Sequence, residues 1–458
     1  MQINKSDSLT FLFISSSDLH GGASIAGYRL HRSLCDSGYK STMIVKNKIS
    51  NDKTVIELNG FISFFLKGCI NGEINFPLSY RFGILIRAFY NYFYRLLKIT
   101  GREIFFFPAS RKILKMINYS PDIIHLHNIH GDYLNISILK NWSKKSKIVI
   151  TLHDLWLFTG HCGVPINCDR FHFTCGDCPD LTLPPKINKD KTRKNILYKK
   201  KIINKVPINY IAPSNWVYDQ VSDIQVHPRS NFKIIHNSIN TKMYFSFEKR
   251  KKRLELGLPN NKKILLTCSV GFKLNPYKDL KTILKALIYL TNKDTYIDNN
   301  ILLLIIGERE QDILPNTKNI KYIQRTFNEH LLSQYYNAAD IYINASHIET
   351  WGLTISEALS SGLPVLASNV GGIPEQVRGY KYEKNDFINK YNLDEANGML
   401  FPNQDEKALS ALISYLFYNN DIIETLGNNA RRYAKDNLDV SYSIQKHLDY
   451  YFKIYKDR

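Results

Sequence analysis

Short apolar runs alternate along this chain with stretches of helical character, and that alternation limits the possible fold more than any other feature. The runs fall at 10–15, 123–127, 148–152 and 210–212, then at 264–269, 302–306, 341–344 and 365–367. Strands that alternate with helices form parallel sheets covered by those helices. At 458 residues the chain has room for two domains of roughly 200 residues, each with a sizeable core. The expectation is an α/β protein of two doubly wound domains, 1–240 and 241–430, joined within 236–262. An amphipathic C-terminal helix at 431–458 would cross back to the first domain.

Bulk composition excludes several classes. No run of about 18 apolar residues exists, so a membrane-spanning helix is not expected. The first apolar stretch, 9–14, is too short for a signal peptide and reads as a strand. A cytoplasmic location follows as an expectation. The net charge of +20 calls for an anionic partner. No helix-turn-helix, zinc-finger, RRM or KH pattern accompanies it, so nucleic acid is not expected. Anionic lipid and diphosphate-bearing substrates fit better. Residues 61–107 interleave Phe61, Phe64, Phe65, Phe89, Tyr90 and Tyr92 with Lys67, Arg81, Arg87 and Arg95. Such a stretch suits amphipathic helices lying on a membrane, or a helix pair packed on the first sheet. Residues 183–205 add nine Lys/Arg against one Asp. Peripheral association with the inner face of the cytoplasmic membrane is the resulting expectation.

The most informative motif is SHIETWGLTISEALSSGLPVLASNVGGIPEQ at 346–376. Glu349 and Glu357 are separated by seven residues, with Gly352 and Leu353 at the start of a helix between them. Backbone N–H groups at a helix start favour anionic oxygens. Glu357, further into the helix, could grip a diol beside that anion. Upstream, Ser269-Val270-Gly271-Phe272-Lys273 closes a strand, and Lys278 precedes the next helix. In the first half, Asp18-Leu19-His20-Gly21-Gly22 joins a strand to a helix, where glycines allow close approach of a ligand. His153, in Thr151-Leu152-His153-Asp154-Leu155-Trp156, follows a strand at the sheet edge where open α/β proteins bind ligands. No Asp-x-Asp is present, so no catalytic metal is expected on a diphosphate.

The 346–376 stretch resembles the E-x7-E element of the retaining GT-B glycosyltransferases of family 4 (group 1). HDLWLFTGHC and the later CGDCP resemble a branch of that family found in bacterial surface-polysaccharide assembly. The resemblance implies a GT-B fold of two Rossmann-like domains facing a central cleft. It also implies a nucleoside diphosphate sugar as donor and a glycan, lipid-linked in that branch, as acceptor. By the same resemblance His153 and Glu349 act at the transferred sugar. Gly21, Gly22, Lys273, Lys278, Gly352, Leu353 and Glu357 hold the donor, and Arg309 and Arg325 are weaker candidates. A catalytically inactive module that binds a glycan or a partner enzyme is the alternative.

Cys162, Cys168, Cys175 and Cys178 fall within 17 residues and end in C-x2-C. In a reducing compartment such clustering favours a metal over disulfides. A structural zinc is the expectation, with His161 or His172 able to replace one thiolate. Buried thiols or two disulfides are the alternatives.

Overall fold

A computed structural model describes residues 9–58, 99–103, 107–245, 248–269, 271–272, 275–307, 318–383, 386–389 and 392–457. The chain divides into two units. One comprises Met1–Pro213, Val217–Ile235 and Lys446–Arg458, the other Ser214–Trp216 and His236–Gln445. Most of the aromatic and basic stretch at 61–107 lies outside the described residues, as do Lys273 and Arg309.

The sheet of the first unit contains β1 (Phe11–Ser17), β2 (Ser41–Asn47), β3 (Val55–Glu57), β4 (Ile123–His127), β5 (Lys147–Thr151), β6 (Ile208–Ala212) and β7 (Asn231–Ile234). Their order is β3-β2-β1-β4-β5-β6-β7, and every pairing is parallel. The second sheet contains β8 (Lys263–Cys268), β9 (Ile301–Ile306), β10 (Ile320–Ile323), β11 (Ile341–Asn344), β12 (Val365–Ser368), β13 (Gly379–Glu383), β14 (Asp386–Asn389) and β15 (Gly398–Phe401). It runs β10-β9-β8-β11-β12-β15-β13-β14 and is parallel except for the β13–β14 hairpin. The order reverses beside β1 in one sheet and beside β8 in the other. At such a reversal the loops leave in opposite directions and open a crevice at the carboxyl ends of the strands. Two places in the molecule are thereby preset to receive a ligand: β1/β4 and β8/β11.

Helices form where apolar residues recur on one face. In α1 (Gly22–Asp36) the buried Ala26, Leu30, His31 and Leu34 follow the 3.6-residue period. The basic α2 (Thr192–Ile203) buries Ile196, Lys199, Ile202 and Ile203. In the second unit α3 (Leu280–Lys293) starts where the Asp279 carboxylate accepts the Thr282 N–H at 3.0 Å. It packs Ile283, Leu284, Leu287 and Leu290 into a core with Leu303, Ile305, Ile341 and Ile343. Each such side chain contributes about 1.5–3 kcal/mol on burial, which offsets the ordering of its backbone. Further on lie α4 (Glu329–Ala338), α5 (Leu353–Ser360), α6 (Glu406–Tyr418), α7 (Asn420–Asn437) and α8 (Val440–Lys456). From Lys446 onward α8 belongs to the first unit. There the fully buried Tyr451 hydroxyl meets His125 Nδ1 at 2.7 Å.

One tight turn fixes the loop that carries Glu349. Beyond β12, Gly372 N–H donates to the Glu349 carbonyl at 2.8 Å. Gly371 stands at φ +55°, and a Cβ there would sit 2.1 Å from the same carbonyl oxygen. Gly371 is needed for both its conformation and its close approach. Gly38 has φ +85° with open space around it, so it isolates the conformational part. Ala at a left-handed position costs about 1–2 kcal/mol. Gly371→Ala should lower the melting temperature clearly more than Gly38→Ala does, measured by scanning calorimetry. Equal losses would show that the approach to Glu349 carries no weight.

Candidate functional site

In the second unit the loops after β8 and β11 are laced together. Lys278 and Ser346 form an isolated bridge, the Asp279 N–H donates to the Ala345 carbonyl at 2.9 Å, and the His347 N–H donates to the Tyr277 carbonyl at 3.0 Å. This lacing places the Lys278 ammonium against the Glu349 carboxylate and 3.2 Å from Ser346 Oγ. Both charged side chains keep 17% of their surface exposed, so a ligand can reach them. Sequence analysis gave Lys278 to a diphosphate and Glu349 to a sugar; the structure brings the two together as an ion pair.

Glu349 leads into α5, whose N-cap is Gly352. No side chain caps this helix, so the amides of Leu353 and Thr354 open its positive end. The Gly352 N–H is placed to meet the Gln376 side-chain oxygen at 3.0 Å when that amide is turned to satisfy both of its ends. The amides left open at this helix end therefore begin at Leu353. One turn on, Glu357 is 4% exposed and accepts a hydrogen bond from the Tyr336 hydroxyl at 3.1 Å. A nearly buried carboxylate held by a tyrosine is a preset acceptor for ligand hydroxyls. Tyr336 comes from α4 and carries no motif that sequence analysis could single out. Arg325 stacks on Phe327, its guanidinium carbon 4.3 Å from the ring centroid.

In the first unit Gly21 stands at φ +87° as the N-cap of α1, and Gly22 is its first residue. Just before them, the buried Asp18 carboxylate accepts the N–H groups of Leu19, Ile49 and Ser50, each at 2.9 Å. Burial alone would raise its pKa, but these hydrogen bonds outweigh that and hold it low. The glycine loop is thus anchored to the end of β2. His153 Nε2 lies 2.8 Å from His127 Nδ1, so His127, at the end of β4, orients the histidine expected to act at the transferred sugar. Gly27 of α1 permits this, because a Cβ there would press on the His127 ring at 2.9 Å. Burial holds His153 down to about 4, with the neighbouring Asp154 opposing. It is therefore a neutral imidazole near pH 7, suited to hydrogen bonding rather than to carrying positive charge.

Beside it stands a group the sequence did not reveal. His130 Nε2 pairs with Asp154 Oδ2 at 2.8 Å. Burial favours neutral imidazole, yet the Asp154 carboxylate outweighs it and raises the His130 pKa. The His130 loop contains Asn128 at φ +47°, Gly131 at +101° and Asp132 at +63°. Left-handed backbone at non-glycine residues is costly and clusters where a loop must present a side chain. Beneath lies a buried ion pair: Lys199 Nζ is 2.6 Å from Glu103 Oε2, and Trp156 Nε1 also donates to Glu103. Burial pushes the Glu103 carboxyl up and the Lys199 ammonium down, while their contact pulls each back. His130, Glu103 and Trp156, together with Arg102, Phe107 and Lys186, line a cavity of about 230 Å³. An aromatic wall with convergent carboxylate and imidazole groups is suited to a polyol.

Cys162, Cys168, Cys175 and Cys178 are all free thiols and line one small cavity with His161. Burial pushes Cys162 up to about 12 and Cys175 up to about 11. As they stand, no group of three or more His, Cys, Asp or Glu side chains among the described residues is arranged to hold a metal ion. The four sulfurs share a cavity without converging on one centre.

Comparison with known proteins agrees with this architecture. The model of Glycosyltransferase Family 4 matches residues 20–243, and that of Glycosyl transferases group 1 matches 248–433. A protein of Escherichia coli (strain K12) named as the colanic acid biosynthesis glycosyl transferase WcaC is 23% identical over 286 residues. That alignment covers 60% of this chain and 66% of the relative, just under two thirds of its length. Alpha-monoglucosyldiacylglycerol synthase of Acholeplasma laidlawii is 24% identical, over 72% of this chain and 75% of the relative. The structure of Anabaena HepE in complex with UDP and glucose superposes with a TM-score of 0.62 at 16% identity. It covers 96% of this chain and 98% of that one. With its two doubly wound parallel sheets and family models spanning nearly all of its length, the chain belongs to the GT-B glycosyltransferases of family 4, group 1.

Proposed function

We propose that this protein is a retaining glycosyltransferase that moves a sugar from a nucleoside diphosphate to a growing, lipid-linked surface glycan at the inner face of the cytoplasmic membrane. The observation that carries the reading is the cluster at the β8/β11 reversal: Lys278, Glu349, the start of α5 and Glu357. Together they offer a cation, an anion-binding helix end and two carboxylates within one pair of laced loops. The diphosphate takes the Lys278 ammonium and the amides of Leu353 and Thr354. Charge grows on that leaving group as the glycosidic bond breaks, so these donors stabilise the transition state more than the ground state. Glu357, braced by Tyr336, takes the ribose diol. Glu349 takes hydroxyls of the transferred sugar, and its pairing with Lys278 keeps both oriented before the donor arrives.

The acceptor belongs to the first unit, in the cavity beside the His130–Asp154 pair. Retention proceeds on one face of the sugar, with the departing phosphate taking the proton of the acceptor hydroxyl. His153, neutral and fixed by His127, hydrogen-bonds the donor sugar. Membrane attachment rests on the basic segments. The outer face of α2 carries Arg193, Lys194, Leu197, Tyr198 and Lys201, with Leu197 48% exposed. Basic residues with exposed apolar side chains suit an anionic lipid surface, each cation contributing about 1 kcal/mol before screening. No helix among the described residues is long and apolar enough to cross a membrane.

Screening UDP-, GDP- and ADP-sugars for thermal stabilisation identifies the donor, since a ligand at about 100 times its Kd stabilises by roughly 2.7 kcal/mol. Lys278→Met and Glu357→Gln should then weaken that nucleotide by about 1.5–3 kcal/mol each, read by calorimetry. Unchanged affinity in both would overturn the assignment. An inactive glycan-binding module would bind acceptor but show no turnover with any donor.

The low pKa of His153 gives a pH test. Its folded value of about 4 lies below the ordinary value of about 6.5, so the neutral form persists through the range around pH 5–8. The rate profile there should contain no ionisation belonging to His153. An acid limb near pH 6.5 that disappears in His153→Asn would contradict this role.

A further inference from the structure

Between Thr151 and α2 the chain crosses some forty residues whose only helical turns are short, at Trp156–Phe158 and Arg170–His172. A segment of that length without strand or helix needs some other source of order. It also carries Asp154 and Trp156, so its order matters to the cavity beside His130. The four cysteines gather in its middle. The cavity they line with His161 measures about 20 Å³, room for a single water or ion and no larger ligand.

The donor chemistry around that cavity is specific. His161 Nδ1 lies 3.0 Å from the Pro185 carbonyl, which can only accept, so Nδ1 carries the proton. Nε2 then presents its lone pair, and it points at Cys178 Sγ 3.5 Å away. A carbonyl that fixes the far nitrogen is the usual arrangement behind a metal-binding histidine. The C-x2-C turn is also shaped for closure. Cys175, Gly176 and Asp177 stand at φ +50°, +101° and +46°. The turn is tied by the Gly176 N–H to Thr192 Oγ1 at 2.9 Å and the Cys178 N–H to Asp190 Oδ2 at 2.7 Å. Cations stand ready to balance thiolates. The Lys199 ammonium is within electrostatic reach of Cys162 and Cys175, and Arg170 donates to the Gly176 carbonyl at 3.0 Å.

We propose that this loop binds one zinc ion, with its four ligands drawn from Cys162, Cys168, Cys175, Cys178 and His161. The ion draws the sulfurs from the walls of their shared cavity to about 2.3 Å from one centre, and the coordinating thiols lose their protons on binding. A site closed by four protein ligands leaves no position for substrate. The zinc is therefore a brace for the segment that carries Asp154 and Trp156, and it takes no part in the transfer.

The test uses the full chain purified without chelator. Elemental analysis should find one zinc per chain, and treating the native protein with EDTA should expose three or four further reactive thiols. Three would place His161 among the ligands; four would make the set all-cysteine. Substitution with cobalt(II) should give the thiolate charge-transfer band of a tetrahedral site, kept in Cys35→Ser and lost when Cys175→Ser and Cys178→Ser are combined, since at least one of that pair must be a ligand. The wild-type measurement stands even if the double variant fails to fold. Absence of zinc with no thiols released by EDTA would overturn the proposal. So would thiols recovered by a reductant but not by EDTA, which would identify disulfides. None of these readouts depends on glycosyl transfer, so the brace and the enzymatic reading fail separately.

Discussion

Parallel pairing is the constraint from which the remaining geometry follows. A parallel strand cannot turn back on its neighbour, so each chain segment must cross the sheet through a covering layer and re-enter from the same end. All strand ends of one polarity then gather on one edge. At the two reversals of strand order, loops distant in sequence are forced side by side. Lys278 and Glu349, 71 residues apart, meet because β8 and β11 are neighbours in the sheet. His130 and Asp154 meet by the same logic at the ends of β4 and β5. The chemistry was placed by backbone hydrogen bonding before any ligand was involved.

Electrostatics then divides the two units by task. The second unit pairs its accessible cation with a carboxylate, so the +20 chain does not present Lys278 as a bare charge to any passing anion. On the proposed reading, selectivity for a diphosphate would come from adding the helix amides and the Glu357 carboxylate to that cation, a combination that a generic polyanion could not use fully. Beside its cavity the first unit instead buries an ion pair. Lys199 has no exposed surface, and its worth lies in keeping Trp156 and Glu103 in register, since breaking one member of a buried pair strands the other.

Much of this was legible in the sequence, and the remainder was hidden for physical reasons. The strands β1, β4, β5, β8, β9, β11 and β12 announced themselves, because burial on both faces gives each a short run dominated by apolar residues. β7, reading Asn231-Phe232-Lys233-Ile234, is an edge strand with alternating exposure, and β2 ends in Lys46-Asn47; neither stands out from a loop. Gly352 as a helix start and Glu357 within that helix were read correctly, because a cap and a helix are local. The Lys278–Glu349, His130–Asp154 and Glu103–Lys199 pairings could not be read, even where the residues themselves stood out, since a contact between distant segments leaves no local signal until the fold makes it. The pairing of His127 with His153 escaped for the same reason.

The hydrogen bond from Tyr451 to His125 joins residues 326 positions apart, and His125 in turn meets Thr151 Oγ1 at 2.8 Å, two residues before His153. The first unit is thus interrupted by the whole of the second and is completed only by residues beyond 446. During synthesis the second unit can close around 236–445, with only 214–216 drawn from earlier in the chain, while the first still lacks a partner for a buried imidazole. Contacts of such long sequence separation form late, because chain closure must precede any reward. The nascent protein therefore completes its second unit before its first. If the donor binds to the second unit as proposed, a partly made chain would hold it before the acceptor side existed to receive the sugar.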